Sequence, residues 1–191
     1  MKFMKKNKYK AVGFAVSAIL FLNGLSGSVS VLAAKSPTAG DIVDTPTSIT
    51  SKVYHVNQST GYISKITAGT TANTLWSGFA EQDYVVIYDK NGSIINGTTA
   101  VGTGMTVAIM DEGTTVRKYT IVVTGDTNGD GKINITDMIA VKASTLKKSD
   151  LSGSYAKAGD VNGDGKINIT DFIKVKATTL KKDSITGVEA K

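Results

Sequence analysis

The strongest constraint on this chain is that it repeats itself. The segment GDTNGDGKINITDMIAVKASTLKKS, starting at Gly125, returns as GDVNGDGKINITDFIKVKATTLKKD, starting at Gly159. Asp126 and Asp160 are 34 residues apart. An internal repeat outranks other sequence signals, because both copies must build the same local unit. Each copy opens with a twelve-residue loop rich in side-chain oxygen. In the first, Asp126, Asn128 and Asp130 hold positions one, three and five, followed by Gly131, Lys132 at seven, Asn134 at nine and Asp137 at twelve. In the second, the same places hold Asp160, Asn162, Asp164, Gly165, Lys166, Asn168 and Asp171.

That pattern is the chemistry of a hard cation. Calcium takes six to eight oxygen ligands at about 2.3–2.6 Å, and a glycine at position six permits the sharp turn. Position seven ligates through its backbone carbonyl, so a lysine there is compatible. Three carboxylates per loop suit a divalent ion, and without one they repel each other. Magnesium fits poorly because it demands a tight octahedral site. The loops therefore predict two calcium ions, one per repeat. Ile133 and Ile167, at position eight, are spaced to pair across the two loops as a short β-bridge.

Helices follow the loops but do not frame them. Ile135, Met138, Ile139 and Leu146 recur at helical spacing, as do Ile169, Phe172, Ile173 and Leu180. Val116 to Val123, before the first loop, is β-branched and strand-like. Only Asp150 to Ala158, interrupted by Gly153, precedes the second. A complete EF-hand has a helix on both sides of its loop, so each unit here is half of one, and it closes in Asp where a sensor loop usually closes in Glu.

Two such loop–helix units, D-x-N-x-D-G-x-I-N-x-x-D with a short linker between them, resemble a type I dockerin over roughly Gly125 to Ile185. The resemblance implies an all-α module of three helices with a near two-fold axis. It implies docking to a cohesin on a scaffoldin, within an extracellular, cell-surface cellulosome that degrades polysaccharide. It also implies partner contacts at loop positions ten and eleven, here Ile135-Thr136 and Ile169-Thr170, and at Lys142, Leu146, Lys176 and Leu180. This sequence departs from the Ser-Thr pair of one well-known group at positions ten and eleven, which leaves the matching cohesin open. Leu146 and Leu180 are equally candidates for core, and Thr136 and Thr170 for helix caps.

The remainder of the chain reads as three segments. Residues 1–34 form a secretion signal: lysines at 2, 5, 6, 8 and 10, an apolar run from Ala11 to Leu22, and a small-residue cleavage site at Val31-Leu32-Ala33-Ala34. The run is short for a membrane span. Residues 35–51, rich in Pro, Thr and Ser, read as a linker. Residues 52–124 read as a small β-rich module, with strands at Lys52–Val56, Tyr62–Ile66, Tyr84–Tyr88, Met105–Met110 and Val116–Val123 and a helix over Thr71–Ala80. Asp89-Lys90-Asn91-Gly92 is a hairpin turn. The order predicts a β-grasp-like module, with an immunoglobulin-like (Ig-like) sandwich as the alternative. Residues 125–191 are the repeat module.

Composition excludes several functions. The net charge of +6 is misleading, because five of the 22 basic residues lie in the first ten positions. The remaining 17 face 16 acidic residues, which gives no electrostatic case for nucleic acid or for a membrane once the signal is cleaved. With no cysteine, disulfides and thiolate chemistry are absent and calcium is the available staple. Catalysis is not expected. A glycosidase needs two flanking carboxylates, and Glu81, Asp83, Asp89, Asp111 and Glu112 are scattered over a module too small for a cleft as well as a core. His55 is the sole histidine. Tyr54, Tyr62, Trp76, Tyr84, Tyr88 and Tyr119 are candidates for stacking on sugar, which makes a polysaccharide-binding accessory the alternative function.

Overall fold

The N-terminal sheet grows from a turn that its own asparagine builds. In the computed structural model, which describes residues 45–190, the Asn57 side chain accepts from the N–H groups of Ser59 and Thr60 at 3.1 and 3.0 Å. Gly61 adopts φ 71°, a conformation glycine tolerates without a Cβ clash. This turn joins β1 (His55–Asn57) to β2 (Tyr62–Ile66), which pair antiparallel. The first strand starts later than Lys52, because Ser51 Oγ accepts from the N–H groups of Val53 and Tyr54 and bends the chain there. Helix α1 (Ala72–Ser77) is capped by the Thr71 side chain. It is shorter than the expected Thr71–Ala80, because the Tyr54 ring lies against Gly78 and the chain turns away.

A 3-10 turn at Gln82–Tyr84 leads into β3 (Val85–Tyr88). The Asp89 carboxylate then accepts from Asn91 and Ser93 N–H, both at 2.8 Å, fixing the hairpin turn with Gly92 at φ 82°. Strands β4 (Thr106–Asp111) and β5 (Thr114–Val123) form an antiparallel pair. The strands make one sheet in the order β1-β2-β5-β4-β3, with β2 and β5 parallel at its centre. The expected strand–strand–helix–strand–strand–strand order is present. The alternative of a two-sheet immunoglobulin-like sandwich is not, since the described strands share one sheet.

One face of the sheet carries the main core: Ile63, Val85, Ile87, Val107, Ile109, Tyr119 and Ile121 meet Leu75, Phe79 and Val101. Ile49 belongs to this core and is fully buried. The end of the expected 35–51 linker is therefore part of the module. A single isoleucine in a Thr/Ser-rich stretch has no periodicity to reveal it, but burying it removes its apolar surface from water. Residues 1–44, with the expected signal segment and most of the linker, lie outside the described residues. Among those described, no helix is long and apolar enough to cross a membrane.

The C-terminal third contributes α2 (Ile135–Thr145), α3 (Gly153–Gly159) and α4 (Ile169–Thr179). Val141, Val161, Val175 and Ile185 form its buried centre, with Ile133, Met138, Ile167 and Phe172 packed around them. The helix pair is held reciprocally. Thr145 Oγ1 donates to the Asn168 carbonyl at 3.2 Å, and Thr179 Oγ1 to the Asn134 carbonyl at 3.4 Å. The end of each helix thus meets the start of the other, so α2 and α4 run antiparallel and the two loops sit at opposite ends. That arrangement overturns the expected Ile133–Ile167 bridge. The described bridges lie elsewhere, and both isoleucines join the hydrophobic cluster instead.

The passage from strand to loop at Thr124–Gly125 runs without a break in packing. Residues from Pro46 onward form one compact unit. Val122, on the reverse face of β5, is buried with Ala158 and Ala190. Gly125 N–H donates to the Ala158 carbonyl at 2.7 Å. The C-terminal tail returns to β2: Lys65 N–H donates to the Val188 carbonyl, Val188 N–H to Thr124 Oγ1 and Ala190 N–H to Ser64 Oγ. Lys65 Nζ closes on Glu189 at 2.8 Å.

Candidate calcium loops and docking face

Each loop is folded by its own acids. Asp126 is fully buried. Its Oδ1 accepts from the N–H groups of Gly129 and Asp130, and its Oδ2 from those of Gly131 and Thr103. Asp137, also fully buried, accepts from Thr127 and Asn128 N–H on one oxygen and from Asn134 N–H on the other. The second loop repeats the scheme more openly. Asp171 accepts from Val161, Asn162 and Asn168 N–H. Asp160 accepts from Asp164 and Gly165 N–H.

The donors converge as a calcium loop requires. Asp130 Oδ2 lies 3.2 Å from Asn128 Nδ2 and 3.1 Å from Asn134 Nδ2. Asp164 Oδ2 lies 2.9 and 3.4 Å from the equivalent nitrogens of Asn162 and Asn168. Positions three, five and nine thus face one point in both repeats. Among the described residues no three acidic or histidine side chains converge by themselves. A calcium ion there would need amide and backbone oxygens as well, in keeping with its high coordination number.

Charge argues the same way. Burial pushes the Asp126 carboxyl above its ordinary value, against the backbone N–H groups of Thr103, Gly131 and Gly129, with Asp137 adding repulsion. Burial raises Asp171 as well, against its backbone donors, with Asp160 adding repulsion. Asp164, exposed, is held below the usual range by the Asn162 side chain first and then by Lys166 N–H. The ion pairs among the described residues join Glu189 to His55 and Lys65, and Asp183 to Lys174. None involves a loop aspartate. Buried carboxylates without a cationic side-chain partner are the groups a divalent ion would relieve.

The asparagines at position nine serve a second purpose. Asn134 and Asn168 are the N-caps of α2 and α4, each in a capping box with the aspartate at position twelve. Thr136 and Thr170 therefore do not cap their helices. They donate their own N–H groups to the asparagine side chains at 2.8 Å, and their side chains are exposed. Leu146 and Leu180 are 53% and 55% exposed, which removes them from the core.

Residues 124–179 match the family model of the type I dockerin domain. The C-terminal part of this chain is a type I dockerin domain. No curated protein and no solved structure provides a match. A dockerin domain implies calcium binding and docking to a cohesin in an extracellular, cellulosome-type assembly.

All eight residues expected to touch the partner are exposed: Ile135, Thr136 and Lys142 on α2 with Leu146 at its C-cap, and Ile169, Thr170 and Lys176 on α4 with Leu180 at its C-cap. Two more belong with them. Ile139 and Ile173 are 57% and 59% exposed, although helical spacing alone had grouped them with half-buried Met138 and Phe172 as well as with the exposed positions. The missed signal is angular. At about 100° per residue, positions 135, 139, 142 and 146 fall within roughly 60° of arc, well away from buried Val141.

Proposed function

We propose that this chain is a secreted, non-catalytic component of a cellulosome, and that its dockerin face seats on a scaffoldin cohesin after both loops take up calcium. One ion is held by Asp126, Asn128, Asp130, Asn134, Asp137 and the Lys132 carbonyl. The other is held by Asp160, Asn162, Asp164, Asn168, Asp171 and the Lys166 carbonyl. Calcium's contribution is structural, because it neutralises the carboxylates that set the start of each helix. The observation that carries the reading is the paired apolar stripe: Ile135, Ile139 and Leu146 are 60%, 57% and 53% exposed, and Ile169, Ile173 and Leu180 are 57%, 59% and 55% exposed. Large apolar side chains left bare in adjacent rows mark an interaction surface.

The β module supports the dockerin and adds no chemistry. Four of its six candidate aromatics are poorly placed for sugar: Tyr54 and Tyr119 are buried, Lys157 lies over the Tyr62 ring, and Trp76 spends its N–H on the Gln82 carbonyl. Any contribution to polysaccharide breakdown is then indirect, through assembly. The test is a pull-down of the exported protein against a cohesin panel and insoluble polysaccharides, with calcium and with chelator. Calcium-dependent capture by a cohesin supports the reading. Capture by polysaccharide alone, or release of reducing sugar, would overturn it.

A further inference from the structure

The two calcium loops are near-identical in sequence but differ in their surroundings. In the first, Asp126, Thr127, Gly129 and Gly131 are all buried; in the second, Asp160 and Gly163 are half-exposed and Gly165 is exposed. What covers the first loop is the β module, through the segment before β4 together with Gly69 and Lys90. Thr103 N–H donates to Asp126 Oδ2 at 2.9 Å, and Gly69 N–H to the Gly131 carbonyl at 2.9 Å. Lys90 Nζ reaches the Asn128 carbonyl at 3.0 Å. The backbones touch directly: a methyl group on Gly102 would strike the Gly129 carbonyl, and one on Gly131 would come within 2.7 Å of the Val101 carbonyl. The hydrogen bonds to Asp160 come only from Asp164 and Gly165, within its own loop.

We infer that Val101–Thr103 of the β module is a positioning element of the first calcium site, holding Asp126 in place and walling the loop, so that an ion there leaves far more slowly than one in the second loop. The inference rests on the two-ion reading above. Release requires the position-one carboxylate to move away from the ion. In the first loop that carboxylate is tied to a backbone N–H outside the loop, and the neighbouring turn is pinned by Val101 and Gly102. In the second loop the position-one carboxylate is tied only within the loop, and the tail beside Gly163 comes no nearer than ordinary contact, with the Glu189 carbonyl 3.8 Å from where a methyl group would stand. The coupling is reciprocal, since an ion favoured by the ordered 101–103 segment must itself order that segment. Thr103 is in turn fixed by its hydroxyl, which donates to the Val123 carbonyl and accepts from Val123 N–H.

The experiment is stopped-flow calcium release from the full chain into excess fluorescent chelator, after equilibrium titration has counted the ions. The expected result is two phases at least about tenfold apart, the factor worth about 1.4 kcal/mol and the scale of one buried hydrogen bond. Asp130→Ala should abolish the slow phase, and Asp164→Ala the fast one. Gly102→Ala, a steric wedge against the first loop only, should speed the slow phase about tenfold and leave the fast one unchanged. Two ions leaving at one rate, or a slow phase belonging to the second loop, overturns this inference and leaves the two-ion reading intact. A first loop that takes up no calcium overturns both. Should Gly102→Ala fail to fold, hydrogen exchange at Thr103 in the unaltered chain decides. Calcium must slow it, and an unchanged rate overturns the inference.

Discussion

Placing a charge on one dockerin helix should cost almost nothing, while charging both should abolish docking. The perturbation is Ile139→Asp on α2, Ile173→Asp on α4, and the two together. Both side chains stand more than half exposed, so the changes leave the core intact. Each isoleucine has about 100 Å² left to bury on docking, worth about 2.5 kcal/mol at 25 cal/mol per Å². An aspartate there forfeits that burial and must itself be desolvated. The two stripes differ by only 2–3% in exposure at each equivalent position, about 12 Å² in total and about 0.3 kcal/mol. A cohesin is therefore expected to seat with either helix leading, in orientations related by the pseudo-two-fold of the Thr145–Asn168 and Thr179–Asn134 bonds. With both orientations nearly equally populated, losing one costs about RT ln 2, roughly 0.4 kcal/mol. Losing both costs at least 2 kcal/mol, the scale of an interface hot spot. Calorimetric titration of a cohesin with the three variants measures this. Loss of binding in one single variant, with the other near native, would refute the equivalence of the faces.

Chelation should lower the helical circular-dichroism signal and expose the chain to protease beyond Gly125, first in the open loop around Gly163–Gly165; unchanged dichroism and digestion would refute a structural role for the ion. The tail clamp should respond to acid. The Lys65 ammonium, by hydrogen bond first, and then the charges of His55 and Lys65 hold the Glu189 carboxyl below its usual range. A depressed folded pKa stabilises above the unfolded value and is lost as pH falls through the folded one. The Ala190 amide resonance should thus stay native until pH drops below about 4.3, the ordinary glutamate value. Lys65→Met should move the transition upward, and an unmoved midpoint would show that the pair does not hold the tail.

The loops were legible because ligand chemistry is local: type and spacing at positions one, three, five, nine and twelve carry it. The strands of the β module were legible from alternation and turn residues, with ends displaced where side chains intervened, as at Ser51. Three features were hidden for physical reasons. Ile139 and Ile173 share a helical period with the core, and periodicity reports a repeat without saying which face is covered. The ends of α2 and α4 carry no glycine. Lys147 and Lys181 take φ of 53° and 55° beyond α2 and α4, a left-handed turn in which glycine is the usual signal. The contact between the first loop and Val101–Thr103 joins residues 23 apart through one backbone N–H, and backbone donors have no sequence signature.

The two repeats differ at five of the 25 aligned positions: Thr127/Val161, Met138/Phe172, Ala140/Lys174, Ser144/Thr178 and Ser149/Asp183. None lies on the exposed stripe, where Ile135, Thr136, Ile139, Lys142 and Leu146 match Ile169, Thr170, Ile173, Lys176 and Leu180. Three of the five fall where the surroundings differ, while Met138 and Phe172 pack around the same hydrophobic centre. Thr127 is enclosed beside Gly159 and donates its hydroxyl to Asp137 at 3.2 Å, while Val161 joins the hydrophobic centre between the helices. Lys174 and Asp183 pair at 2.7 Å where the chain leaves α4 for its tail, and the first repeat, which continues into the linker before α3, has Ala140 and Ser149 instead. Symmetry is thus kept on the outward face and given up where each repeat meets the rest of the fold. A duplicated unit can be held by a single β module only at unlike points, because its loops lie at opposite ends. The asymmetry that locks the first loop and the symmetry that leaves both helices equivalent to a partner follow from the same antiparallel packing of α2 against α4.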